Sequence, residues 1–215
     1  MAGMPVHVTE DRSLPLRERK KLRTRRALAD AALRLFTEKG FDATTLEELA
    51  EEAEVSKSTF SRVFPAKEAA GIEAEAELWT ACLTALADRD LAGPVLDELH
   101  QTLAGAVAGL DPGWDERFLA TRRLIAAEPA LLRYTEHYRA QVREQIVAIL
   151  AARLRLDQED LRLHVLAELV MTAWSLSGRA WVRRGGKGGR TALLNGLADA
   201  ISAVPASLHL RADQH

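Results

Sequence analysis

At 215 residues, 47% hydrophobic and 28% charged, the chain is long enough for one large core or two small ones and too apolar for global disorder. Its net charge of −2 excludes a uniform polycation, so any affinity for nucleic acid must come from uneven placement of charge. One cysteine, Cys82, excludes an internal disulfide, and neither a secretory leader nor a run of roughly 18 apolar residues is present, so a cytoplasmic protein is expected.

Ala, Leu, Glu and Arg dominate and no segment alternates as a strand would, so the fold class expected is all-α. Residues 12–26, "RSLPLRERKKLRTRR", hold many cations against the single acid Glu18. Such an arm, extended or partly helical, can follow a phosphate backbone or enter a minor groove, with Arg19, Lys20, Lys21, Arg23, Arg25 and Arg26 as the contacts. A helix is predicted from Arg19 to Lys39, with Leu28, Ala31, Ala32, Leu35 and Phe36 on one stripe and Gly40 as its stop. Thr44 and Thr45 each precede a Glu by three positions, so either can open the next helix as a capping box.

In that second helix Leu46, Leu49, Ala50 and Ala53 form the buried stripe, leaving Glu48, Glu51 and Glu52 off it and Glu47 near the start. A third short helix, Ser56 to Phe64, is anchored by Phe60, Val63 and Phe64. Between the anchors stand Ser56, Lys57, Ser58, Thr59, Ser61 and Arg62, a set of hydroxyls and cations with no carboxylate. Small hydroxyls allow close approach to a groove and bond base edges or phosphate oxygens. Lys67, just past Pro65, stands where its charge and the amides of the next helix can hold one phosphate. The segment reads as a helix–turn–helix DNA reader whose acids belong to the supporting helix.

One long helix is predicted from Ala66 to Arg89, followed by helices over 94–109, 113–127, 129–155, 158–183 and 191–204, with "RRGGKGGR" at 183–190 as a flexible connector. The division expected is a flexible basic arm at 1–19, a DNA-binding domain at 20–80, a ligand-binding and dimerisation domain at 81–205, and a loose tail at 206–215. The histidines are scattered, no paired metal ligands occur, and "GGKGG" lacks the strand-to-helix setting of a phosphate loop. No metal, cofactor or enzymatic activity is expected. Most of the large rings suit a core or a dimer contact, and some suit an apolar ligand cavity: Trp79, Leu83, Phe118, Arg122, Tyr134, Tyr138 and Trp174 are the candidates. The last two helices carry apolar residues on more than one face, which asks for partners on two sides. Leu169, Val170, Ala173, Trp181, Leu194, Leu197 and Ile201 are the residues expected at a seam between two protomers, where the small residues of "LLNGLADAISAV" permit close approach.

The stretch "RRALADAALRLFTEKGFDATTLEELAEEAEVSKSTFSRVFPAKEAA" resembles the N-terminal domain of the TetR family of one-component transcriptional regulators. The lead "A…LF…GF…TT", then "LA..A.VS", "TF.R.F" and "P.KE", fall at matching intervals over about residues 20–80. The resemblance implies a three-helix DNA-binding head on an all-helical regulatory body, acting as a homodimer on a palindromic operator and usually as a repressor released by a small ligand. It also implies a phosphate contact at Thr45, base and backbone contacts at Lys57, Ser58, Thr59 and Ser61, and a phosphate role for Lys67. Glu54 departs from the family's turn glycine, Glu47 from a position often basic, and Ser61 and Val63 from positions where rings are common. "RFLATRRLIAAEPALLRYTEHYR", 117–139, is similar to the matching region of members suited to acyl-CoA-like ligands, where Arg122, Arg123 or Arg133 meets phosphate or carboxylate. The alternative class is a helical ligand carrier or small enzyme with a vestigial head, which requires a pocket of converging titratable groups. A further alternative is a DNA-coating protein without a ligand.

Overall fold

The computed structural model describes residues 15–211. Residues 1–14 of the expected basic arm, Arg12 among them, and residues 212–215 of the expected tail lie outside the described residues. Two compact units divide between Glu73 and Ala74, seven residues before the boundary drawn from sequence at 80/81.

The first unit holds α1 (Leu16–Glu38), α2 (Leu46–Glu52), α3 (Lys57–Val63) and α4 (Lys67–Gly71). Leu28, Ala31, Ala32 and Phe36 on α1 bury the expected stripe against Leu49, Ala50, Phe60 and Phe64, and Phe36 meets Phe41 edge-on at 5.0 Å. Gly40 takes a φ of 94°, a left-handed conformation that ends α1 as expected. Helix α1 begins at Leu16, so residues 16–26 are helical and not an extended arm.

The second unit holds α5 (Glu73–Asp88), α6 (Val95–Gly109), α7 (Trp114–Ala127), α8 (Pro129–Leu154), α9 (Leu161–Arg183) and α10 (Gly189–Ser207). The single helix expected over 66–89 is two helices, because the chain breaks at Ile72 with φ −107° and ψ 13°. Gly71 is the weak point there, since glycine costs about 1 kcal/mol in a helix relative to alanine. The core is built around Phe118, which stacks on Trp114 at 4.6 Å and meets Trp174 at 5.6 Å and Trp181 at 6.3 Å, while Trp174 meets Trp79 edge-on at 6.3 Å. Such offset and edge-on ring pairs add roughly 0.5–1.5 kcal/mol each to the burial of their area. Cys82 is buried in the same core, which pushes its thiol up to about 12.

Helices α9 and α10 form the most extensive helix pair of this unit. A Cβ added at Gly196 would stand 3.5 Å from the Ser177 Cβ, ordinary contact, so the two helices pack closely there without requiring glycine. The glycine-rich segment is an ordered corner. The Gly185 amide donates to Val182 O at 2.9 Å and that of Gly186 to Trp181 O at 3.1 Å, closing α9 in a Schellman arrangement. Gly186 has a φ of 75°, and a Cβ there would fall 2.6 Å from Leu119 Cδ1, so any other residue would be strained in its backbone and would have to displace the Leu119 side chain. Helix α10 runs through Pro205 to Ser207, past the expected start of the tail. Among the described residues no helix is long and apolar enough to cross a membrane, and no group of three or more His, Cys, Asp or Glu could hold a metal ion.

Candidate nucleic-acid interface

The corner between α2 and α3 is made where the sequence is least suited to it. The Glu54 amide donates to Glu51 O at 2.9 Å and that of Val55 to Ala50 O at 2.9 Å, again a Schellman closure. Its left-handed residue is Glu54, at a φ of 54°. A side chain in that region costs roughly 1–2 kcal/mol, and glycine's extra freedom in the unfolded chain returns part of the difference, so Glu54→Gly should stabilise the unit by about 0.5–1 kcal/mol. Thermal melting followed by far-UV circular dichroism checks it.

Ser56 then opens α3, its hydroxyl accepting from the Thr59 amide at 3.2 Å. The Ser56 side chain is thereby committed to the cap, with its oxygen also 2.9 Å from Ser58 Oγ and 3.0 Å from Thr59 Oγ1. Lys57, Ser58, Ser61 and Arg62 are exposed on α3, and Thr59 stands half-buried at their edge, 3.5 Å from Arg62 Nη2. Phe60 is 1% exposed and packs 5.9 Å from Phe64, so it holds the helix in place and cannot touch a duplex.

The acids of α2 are nearly all matched. Glu52 pairs with Arg34, Glu48 with Lys39 and Glu47 with Lys57, while Glu51 is exposed. Exposed pairs of this kind add little stability, but they cancel negative charge beside a surface meant for phosphate. The pairing of Glu47 with Lys57 corrects the expectation of a reading surface without carboxylates, because α2 brings one to its rim. Lys57 holds the Glu47 carboxyl below its ordinary value.

Thr45, not Thr44, caps α2. Its Oγ1 accepts from the Glu48 amide at 3.2 Å while the Glu48 carboxylate accepts from the Thr45 amide at 2.9 Å, the reciprocal capping box. Thr44 is 1% exposed and donates to Gly40 O at 2.7 Å, so it is a structural residue of the loop. The Lys39 ammonium and then the Thr45 bonds hold the Glu48 carboxyl at about 2, below its usual 4.5. A depressed carboxyl adds stability above its unfolded pKa and loses it as pH falls through the folded value. Wild type should therefore exceed Glu48→Gln in stability at neutral pH, with the gap closing between pH 4.5 and about 2 in denaturant titrations.

Two cations assigned to phosphate are turned inward. The Arg25 guanidinium grips both carboxylate oxygens of Glu73, with Nη2 2.6 Å from Oε2, donates to Val63 O at 3.1 Å, and lies 4.5 Å over the Phe64 ring. Lys67 Nζ donates to Phe41 O at 2.7 Å and Thr44 O at 3.0 Å and sits 4.1 Å over the Phe41 ring. It ties α4 to the loop between α1 and α2. On α1, Lys20, Lys21 and Arg23 are exposed, and Arg19 and Arg26 are half-buried. A groove of about 460 Å³ is lined by Ala27, Asp30, Ala31, Arg34, Glu52, Ala53 and Glu54, and its three carboxylates disqualify it for phosphate.

In the second unit the structure brings Trp79, Phe118 and Trp174 of the expected ligand set into one cluster, with the Arg122 guanidinium 5.9 Å over Phe118. Leu83 and Tyr138 are partly buried against the core, and Tyr134 is half-buried. The residues unforeseen are Glu75 and Arg139. Glu75 is fully buried and joined to both Arg139 and Arg122. The signal was present: Glu75 falls on the stripe of Leu78, Trp79, Cys82 and Leu86, and Arg139 on that of Leu131, Thr135, Val142 and Ile146, each a charge at a position that helical periodicity buries. Of the residues expected at a dimer seam, Val170, Ala173, Trp181, Leu197 and Ile201 are buried within the protomer, and only Leu169 and Leu194 are half-open.

Comparison with known proteins follows the same division. The family model described as "Bacterial regulatory proteins, tetR family" matches residues 28–69, which span the C-terminal part of α1, all of α2 and α3 and the start of α4. The HTH-type transcriptional regulator TcmR of Streptomyces glaucescens is 29% identical over 178 residues, covering 79% of this chain and 77% of that protein. The uncharacterised HTH-type regulator YuxN of Bacillus subtilis is 39% identical over 54 residues, 25% of this chain and 17% of its own. A transcriptional regulator from Rhodococcus sp. Rha1 shares the fold at a TM-score of 0.50 and 17% identity, over 85% of this chain and 96% of that one. The capped corner, the exposed face of α3 and the family match over both lead to one conclusion: the chain carries the DNA-binding domain of the TetR family of bacterial transcriptional regulators.

Proposed function

We propose that the chain is a cytoplasmic, homodimeric repressor that reads a palindromic operator with α3 and leaves it when a small hydrophobic ligand binds the second unit. The observation that carries this reading is the exposed set Lys57, Ser58, Ser61 and Arg62 on a helix fixed from behind by buried Phe60 and capped in front by Ser56. A twofold pair of such helices about one helical turn apart suits successive major grooves. The seam between protomers falls on the apolar residues that α9 leaves outward: Leu161, Val165 and Leu176 are 76%, 56% and 50% exposed, and half-buried Leu169 continues their stripe. A carrier or enzyme reading has less support, since among the described residues no cluster of catalytic groups lines a cavity. An acyl-CoA-like effector is one form the ligand takes in this proposal.

The test is retardation of the DNA upstream of the chain's own gene, with random DNA as competitor, over a series of salt concentrations. Glu47→Gln frees Lys57 for phosphate and should tighten binding to all sequences, steepening the log K against log salt slope by about 0.9. Lys57→Met should not have that effect, and Ser58→Ala or Thr59→Ala should relax sequence preference with a smaller change in slope. Retardation no stronger than with the random competitor would falsify the reading.

A further inference from the structure

Charge in the core of the second unit does not balance. Glu75 Oε1 accepts from Arg139 Nε at 2.9 Å, Arg139 Nη2 at 2.8 Å and Trp79 Nε1 at 3.4 Å, and Oε2 accepts from Arg122 Nη1 at 3.3 Å. Both arginine side chains are only 10% exposed and Glu75 is wholly enclosed. Arg139 has a second acid, Glu136, on the solvent side at 3.1 Å. Arg122 has a share of Glu75 and the face of the Phe118 ring at 5.9 Å, and no second carboxylate pairs with it among the described residues, while Arg139 and Arg179 both repel it. Two enclosed guanidinium groups thus divide one enclosed carboxylate, whereas buried charges are ordinarily matched one for one. Burial pulls the Arg122 guanidinium below its ordinary value, and Glu75 offsets that only in part.

Two further groups in the same region lack partners. Thr121 Oγ1, next to Arg122 in the chain, is buried with no hydrogen bond, and so is Trp181 Nε1, whose ring lies 6.3 Å from Phe118. Native cores leave few such atoms unpaired, and each that remains asks for an explanation. Phe118 lies against the Trp181 and Trp174 rings, and Trp174 in turn meets Trp79. Apolar walls with a few polar groups short of partners are the composition of a small-molecule site.

We propose that Arg122, assisted by Arg139 and Thr121, receives the acidic group of an amphipathic anion whose apolar body lies against Phe118, and that Glu75 substitutes for that acid when the ligand is absent. The proposal rests on the reading of this unit as ligand-responsive and specifies the ligand as anionic. A carboxylate and a phosphate both satisfy a guanidinium fork.

Calorimetric titration of the full-length protein with 3-phenylpropanoate, 3-phenylpropyl phosphate and neutral 3-phenylpropanamide tests it. At least one anion should bind saturably and tenfold or more tighter than the amide, and the better anion identifies the acidic group. Arg122→Met should abolish that advantage and Arg122→Lys should retain part of it. Glu75→Gln, which removes the internal competitor, should tighten the anion at least threefold, a gain that mere loosening of the fold cannot give. Equal binding of anion and amide, absence of binding by both anions, an advantage surviving in Arg122→Met, or no gain in Glu75→Gln overturns the assignment. DNA retardation without any probe, run in parallel, separates the two readings. Intact retardation with failed anion binding removes this site alone, and absent retardation with tight anion binding removes the regulator reading instead.

Discussion

Arg139→Met should cost the protein about 3–5 kcal/mol, the scale of stranding one member of a buried ion pair. The guanidinium supplies two of the hydrogen bonds to Glu75, and burial alone would drive the Glu75 carboxyl upward, yet Arg139 first and Arg122 second hold it below its ordinary value. Without Arg139 the carboxylate keeps only the long contacts to Arg122 and Trp79. Because the shift is downward, stability from Glu75 is present above the unfolded carboxyl range and declines as the solution is acidified. All four tryptophans, Trp79, Trp114, Trp174 and Trp181, lie in the second unit, so urea unfolding followed by their fluorescence reports on it directly. The double variant Arg139→Met with Glu75→Met should recover most of the loss, because two well-packed apolar groups can replace an ion pair at little cost. Failure of the double variant to recover would mean that the arginine acts by packing and not by charge.

Arg25→Met should destabilise the first unit by about 2–3 kcal/mol, less than the fully buried case because the Arg25 side chain is 38% exposed. Three contacts disappear together: the grip on Glu73, the bond to Val63 O that closes the end of α3, and the face of Phe64. Glu73, with a side chain 7% exposed, loses the guanidinium that grips both of its oxygens. Far-UV circular dichroism melting measures the loss. The contrast with an exposed neighbour is the sharper test. Lys21→Met, at a side chain 73% exposed, should leave the melting point nearly unchanged while weakening operator binding. If both substitutions behave alike, Arg25 is a DNA contact after all and the inward geometry is unimportant.

What the sequence disclosed and what it hid divide along a physical line. Local rules were legible: the stripe of α1, the reciprocal cap at Thr45 and Glu48, and the anchors Phe60 and Phe64 all depend on neighbours within a turn or two. The direction of a long cation was not. Arg25 and Lys67 sit in surroundings that read as phosphate contacts, but their partners are 48 and 26 positions away in the chain. Nothing local marks a cation that will fold back. Five of the residues expected at a seam between protomers are buried within one protomer, for a related reason. Helix α9 carries apolar residues on two sides, and sequence does not say which side the rest of the protomer covers; here Val170, Ala173 and their neighbours are buried and Leu161, Val165 and Leu176 are left outside. Glu75 and Arg139 show in the sequence only as charges on otherwise apolar stripes, and their pairing, 64 positions apart, has no local mark.

The solitary Cys82 carries a practical corollary. Its sulfur is enclosed and its proton is held until about pH 12, so near neutrality almost none of the nucleophilic thiolate forms. Maleimides and spin labels should pass it by, and the native sequence is already suited to site-directed labelling. A cysteine placed at Ser58 or Leu161 would react alone, and pulsed dipolar spectroscopy on the Ser58→Cys protein would give the distance between the two α3 helices of a dimer with and without DNA.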